Sequence, residues 1–94
     1  MSATKYRILL HQTVPGEIQK LPDPVKQRIK DIIDALQDTP IPSQAVRLKG
    51  RPSAYCVRVA EYRLVYEVHA TEIVVFIVGV AHRKEVYQRV LRRR

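Results

Sequence analysis

One cysteine, three scattered glycines and no apolar run of membrane length set the first limits on this chain of 94 residues. Cys56 alone cannot close an internal disulfide, so a reducing cytoplasm is the expected compartment. No apolar stretch approaches the ~18 residues of a membrane span, and the N-terminus lacks a signal-peptide pattern. Gly16, Gly50 and Gly79 lie far apart, so no glycine-rich phosphate loop is expected. His11, His69, His82 and Cys56 lack the paired spacing of zinc ligands, and neither a metal nor a cofactor is expected. Acidic residues are also scarce: nine Asp and Glu stand against seventeen Lys and Arg, a net charge of +8.

That excess is unevenly placed. Residues 1–46 hold six basic and five acidic residues, a balance of +1, and residues 47–94 hold eleven and four, a balance of +7. A general solubility device would be spread evenly; a localised one is the footprint of an anionic partner such as nucleic acid. A membrane surface would attract the same charge, but the basic residues are not confined to one amphipathic helix, so no membrane partner is expected. The hydrophobic content of 46% is ample for one domain spanning 1–94, with homo-oligomerisation not expected.

Periodicity divides the chain into β-α-α-β-β-β followed by a basic tail. Tyr6, Ile8 and Leu10 alternate with Lys5, Arg7 and Leu9, which predicts a first strand. Val14 to Leu21 predicts a short helix with Thr13 as N-cap and Val14, Ile18 and Leu21 facing inward; Pro15 fits only its first turn. Asp23 as N-cap, Pro24 in the first turn and Asp38-Thr39-Pro40 as terminator bound a second helix. Its inner stripe is Val25, Ile29, Ile32, Ile33 and Leu36. A proline-bounded loop, Pro40 to Pro52, carries Arg47, Lys49 and Arg51. Ile73 to Val78 is apolar on both faces and reads as an interior strand. His82 to Arg94 is a basic segment whose Val86, Val90 and Leu91 form one modest apolar side. Helices grouped before sequential strands predict an α+β fold, an antiparallel sheet with the two N-terminal helices on one face.

The densest information lies in Ala54 to Glu67, AYCVRVAEYRLVYE. With Ala60 and Glu61 as the turn, Val57 pairs with Leu64, Tyr55 with Tyr66, and Arg58 with Arg63. Like charges directly opposite cost roughly 0.2–1 kcal/mol. Either an anionic partner offsets that cost, or the two arginines splay into solvent near Glu61 and Glu67.

Three motifs carry a family resemblance: Leu48-Lys49-Gly50-Arg51-Pro52, Tyr55-Cys56-Val57-Arg58-Val59 and Tyr62-Arg63-Leu64-Val65-Tyr66-Glu67-Val68. They resemble the RelE/ParE toxin superfamily. Val80-Ala81-His82-Arg83-Lys84-Glu85-Val86-Tyr87 is similar to the RelE branch. The resemblance implies a type II toxin: a ribosome-dependent endoribonuclease that cuts mRNA in the A site and is silenced by a cognate antitoxin wrapping its surface. It implies that Arg63 stabilises the transition state, that Arg83 assists the leaving group, and that Tyr87 stacks on or orients the target nucleotide. Arg47, Lys49, Arg51 and Lys84 would hold RNA. Metal-free RNA cleavage needs the 2′-hydroxyl deprotonated, the phosphorane's charge stabilised and the 5′-oxygen protonated, and fixed cations supply the second requirement.

The chain departs from the family where two lysines often stand in the first hairpin strand; here those positions are Cys56 and Arg58. An arginine stays protonated, so Arg58 can hold a phosphate but is a poor base. Cys56 between Arg58 and Arg63 has either a lowered pKa or, the favoured reading, no chemistry at all. His82 is the preferred candidate for proton transfer, since histidine is the side-chain type suited to that task near neutral pH. With both lysines gone, a ParE-type toxin that inhibits DNA gyrase without cleaving RNA is the alternative, followed by a non-catalytic basic binding module.

Overall fold

A computed structural model describes residues 5–93. The elements are β1 (Arg7–Leu10), α1 (Val14–Gln19), α2 (Asp23–Ala35), β2 (Val46–Arg47), β3 (Ala54–Val59), β4 (Tyr62–His69), β5 (Val74–His82) and a π-helical turn, Val86–Val90. The strands form one sheet in the order β1-β5-β4-β3-β2.

The hairpin keeps the register that alternation dictates. Val57 pairs with Leu64, Tyr55 with Tyr66 and Arg58 with Arg63, across a turn of Ala60 and Glu61 in which Ala60 has φ 53. One face of the sheet packs under α1 and α2. Val14, Ile18 and Leu21 and the whole stripe from Val25 to Leu36 meet Val57, Leu64, Tyr66, Val75 and Ile77 there. Burying a residue such as Leu64 completely contributes roughly 1.5–3 kcal/mol, so this face fixes which way the hairpin arginines point.

Four details differ from the expectations. The sheet is mixed rather than wholly antiparallel, because β1 adds to β5 in parallel from Arg7↔Val74 to Leu10↔Ile77. The apolar β5 thereby gains neighbours on both edges, β1 and β4, as an interior strand requires. β5 runs on through Gly79 to His82, since Tyr62↔His82 still pairs with β4; the glycine hides a strand that tertiary pairing sustains. A further short strand, β2, lies within the loop, pairing Val46↔Cys56 and Arg47↔Tyr55. The helices end early, at Gln19 and Ala35. Thr13 provides no side-chain cap, and Asp23 is the first helical residue, with Pro22 at the cap position.

The face opposite the helices is also partly covered. Val86 and Val90 of the C-terminal segment pack on Val65, Val78 and Ala81. Gly79 makes this approach possible, because a Cβ there would stand 2.9 Å from the Val90 methyl groups and collide with the Arg93 guanidinium. Arg94, the last residue of the basic segment, lies outside the described residues.

Candidate functional site

Side chains at adjacent strand positions alternate between faces, so with Val57 and Leu64 under the helices, Cys56, Arg58, Arg63 and Val65 emerge on the opposite face. The C-terminal segment walls that face on one side and β2 with its following loop on the other. Between them lies a cleft of about 300 Å³ lined by Arg47, Lys49, Arg51, Cys56, Arg63 and Tyr87, with apolar walls from Leu48, Val86 and Leu91. Among the described residues no carboxylate lines it.

Arg63 is half-buried in this cleft. Among the described residues it has no carboxylate partner, whereas Arg83, Arg89 and Arg93 each have one. Its neighbour is the buried Cys56 thiol. Burial pushes that thiol above its ordinary pKa, and the hydrogen bond and positive charge of Arg63 offset the rise only in part. Cys56 is therefore a neutral thiol at physiological pH, neither nucleophile nor base.

The rim is built from the short edge strand and the loop after it. Arg47 Nη2 donates to the Tyr55 hydroxyl at 3.5 Å, and its guanidinium lies 5.9 Å from the ring centroid. Arg51 Nη2 donates to the Arg93 carbonyl at 3.4 Å, tying the loop to the C-terminal segment. Tyr87 stands 68% exposed, with its ring available to an incoming planar group.

The remaining candidates sit elsewhere. Arg58 lies opposite Arg63 but is exposed, its Nε donating to the Ala60 carbonyl at 3.3 Å beside the hairpin turn. Arg83 is ion-paired with Glu61 at 2.9 Å, and its backbone N–H donates to the Glu61 carbonyl at 2.8 Å. His82 pairs with Tyr62 while Ala81 pairs with Arg63, so His82 is on the helix side of the sheet and Arg63 on the other. Its ring meets Tyr62 edge-on at 5.6 Å, and its Nδ1 accepts the Lys84 N–H at 3.2 Å. Lys84 is exposed beyond the end of β5. The structure thus unites Arg63, Tyr87, Arg47, Lys49 and Arg51 with Cys56, and leaves Arg58, His82, Arg83 and Lys84 outside the cleft.

Among the described residues no group of three His, Cys, Asp or Glu side chains could hold a metal ion. A sheet covered by helices on one face, with an arginine that has no carboxylate partner among the described residues in a basic cleft on the other, defines the class: a small α+β protein with a cation-lined cleft on its open face.

Comparison with known proteins gives that class a family. Residues 8–87 match the family described as the ParE toxin of the type II toxin–antitoxin system parDE. The mRNA interferase toxin RelE of Escherichia coli is 33% identical over 82 residues, 82% of this chain and 84% of the relative. Among solved structures, a mutant of E. coli RelE in the free state superposes with a TM-score of 0.75 at 26% identity, covering 93% of this chain and 95% of that one. The RelE of an archaeal RelE–RelB complex from Pyrococcus horikoshii gives 0.74 at 27% identity, with 84% and 96% covered. The chain belongs to the RelE/ParE superfamily of type II toxins.

Proposed function

We propose that this toxin is a metal-independent endoribonuclease that cuts mRNA in the ribosomal A site. The observation that carries the reading is Arg63, half-buried, without a carboxylate partner among the described residues, and facing the same cleft as Tyr87. A planar guanidinium held in place is suited to a phosphorane's equatorial oxygens, and a fixed cation needs no reorganisation as charge develops. Tyr87 at the rim is placed to stack on the target base, a contact worth roughly 1–3 kcal/mol per base. Arg47, Lys49 and Arg51 extend the positive lining along which a phosphate backbone would run. The relatives named mRNA interferase RelE support the same chemistry.

Proton transfer is the step the cleft does not supply by itself. Arg58 as an arginine is a poor base, Cys56 is held neutral, and His82 faces the helices. The chain's own contribution is positioning and charge stabilisation, with rRNA or solvent moving the protons. A lining that among the described residues offers cations and no carboxylate also disfavours a divalent metal, since such ions take carboxylate and carbonyl oxygens. Arg83 could reach a leaving group only by giving up Glu61.

The second reading is a ParE-type toxin acting on DNA gyrase, favoured by the ParE description of the matched family and by Cys56 and Arg58 at the lysine positions. Toeprinting of translated mRNA beside a gyrase supercoiling assay separates the two. We expect cuts at A-site codons and unimpaired supercoiling; uncut mRNA with blocked supercoiling replaces the first reading by the second.

A cognate antitoxin is the expected partner, as in the solved RelE–RelB complexes. Its silencing segment should combine acidic with apolar residues and cover the hairpin's open face or the C-terminal segment, displacing or pinning residues 82–93.

A further inference from the structure

We propose that Glu17 and Arg93 form a latch that holds the C-terminal segment down and so positions Tyr87 beside Arg63. This rests on the endoribonuclease reading above. The pairing of β1 with β5 stops at Ile77, so the β5 edge beyond it has no partner strand. Glu17, reaching from α1, accepts the Val80 N–H at 3.0 Å, and Arg93 Nη1 donates to the Val78 carbonyl at 3.0 Å. The two side chains also meet each other: Arg93 Nη1 lies 3.2 Å from Glu17 Oε1, and Nη2 donates to Oε2. An acidic and a basic side chain thereby satisfy the strand edge that β1 leaves open. Their exposures are only 8% and 14%, so water competes weakly for the contact.

The latch reaches the cleft in two ways. The Arg93 carbonyl accepts from Arg51 Nη2, connecting it to the basic rim. Along the chain, Arg93 closes the segment whose Val86 and Val90 pack on the sheet and whose Tyr87 lines the cleft. Arg89 adds a second guanidinium 3.9 Å from the same carboxylate. The segment's other attachments are one small apolar cluster on the open face and, at its start, the contacts of Arg83 with Glu61. Neither Glu17 nor Arg93 lines the cleft, and both are positioning residues, acting through Tyr87.

Two variants open the latch from opposite sides: Glu17→Gln, and Arg93→Met, which leaves the Val80 N–H its acceptor. Amide hydrogen exchange should quicken at Leu91 and Arg93 in both while the amides of β3 and β4 keep wild-type protection, a local rather than global opening. Single-turnover cleavage on translating ribosomes should slow by about 10–100-fold, as misplacing a contact group does. The deciding arm repeats Glu17→Gln in a Tyr87→Ala background. If the latch acts through Tyr87, the second substitution costs nothing further there. An undiminished loss in that background, or unchanged exchange at Leu91 and Arg93, overturns the latch. Wild-type protein that leaves mRNA uncut instead overturns the ribonuclease reading, and the exchange arm still reports whether the segment is pinned.

Discussion

At the scale of single residues, identical chemistry acquires different meaning from its surroundings. Arg63, Arg83 and Arg93 are all arginines on or near the same sheet. Arg83 is neutralised by Glu61 and Arg93 by Glu17, whereas Arg63 has no such partner among the described residues. Its cross-strand neighbour Arg58 adds repulsion rather than relief. The side chains lining the cleft offer a fixed cation and an aromatic ring. His82 illustrates how one position of alternation decides a role, since its pairing with Tyr62 sets it across the sheet from Arg63. His82→Gln is therefore expected to retain A-site cleavage within about threefold in single-turnover assays, because the ring lies against Tyr62 on the face away from Arg63. A loss of a hundredfold or more would restore His82 to the mechanism. Nothing in the local sequence reveals this, because the face of His82 depends on the β-bulge between Val65 and Tyr66 in the β4–β5 ladder.

Among the elements, the β3–β4 hairpin was the most legible in sequence, whereas β2 was hidden in the Pro40–Pro52 loop and β1 was legible as a strand but not in its docking. Strict alternation from Tyr55 to Tyr66 and a two-residue turn leave one register, the one observed. The parallel docking of β1 follows from how the chain returns after α2 and the hairpins, which no local pattern encodes. The hairpin turn carries strain at Ala60, whose φ of 53 suits glycine better. Ala60→Gly should stabilise the protein by about 0.5–1 kcal/mol and raise Tm by a few degrees; an unchanged or lowered Tm would show that the turn is not strained. Behind the hairpin, Tyr66 donates to the Pro40 carbonyl at 2.9 Å, anchoring the loop that leads to the basic rim. Burial, with smaller contributions from Tyr55 and Cys56, pushes this hydroxyl from 10.0 up to about 12. The neutral phenol is thus the form the fold prefers. Its contribution is complete below about pH 10 and is lost as the pH rises toward about 12, because the unfolded chain ionises first. Urea titrations between neutral and alkaline pH should show Tyr66→Phe less stable by about 0.5–1.5 kcal/mol at pH 7. The variant's alkaline decline should also be shallower; equal declines would contradict the assignment.

Across the whole molecule, the charge asymmetry of the sequence becomes a geometric one. The half with balance +1 supplies β1 and the two covering helices, and the half with balance +7 supplies the cleft, its rim and the C-terminal segment. Of the candidates named from sequence, Arg63, Tyr87, Arg47, Lys49 and Arg51 share the cleft, while Arg58, His82, Arg83 and Lys84 do not. The latch was not legible in sequence, since Glu17 and Arg93 stand 76 residues apart and each looks like an ordinary surface charge. An antitoxin that neutralises this face should bind with steep salt dependence, weakening as ionic strength rises. Affinity measured at two salt concentrations on the full chain and on a chain ending after Tyr87 checks this; indifference to both would contradict it. Arg63 should stabilise a developing negative charge while contributing little to the fold. The most direct measurement is single-turnover cleavage of ribosome-bound mRNA by Arg63→Ala and Arg63→Lys, with thermal unfolding of each. Arg63→Ala should lose about 10²–10³ in rate and Arg63→Lys should recover only part of it, both with a near-native Tm and intact antitoxin binding. Wild-type cleavage by Arg63→Ala would contradict this role.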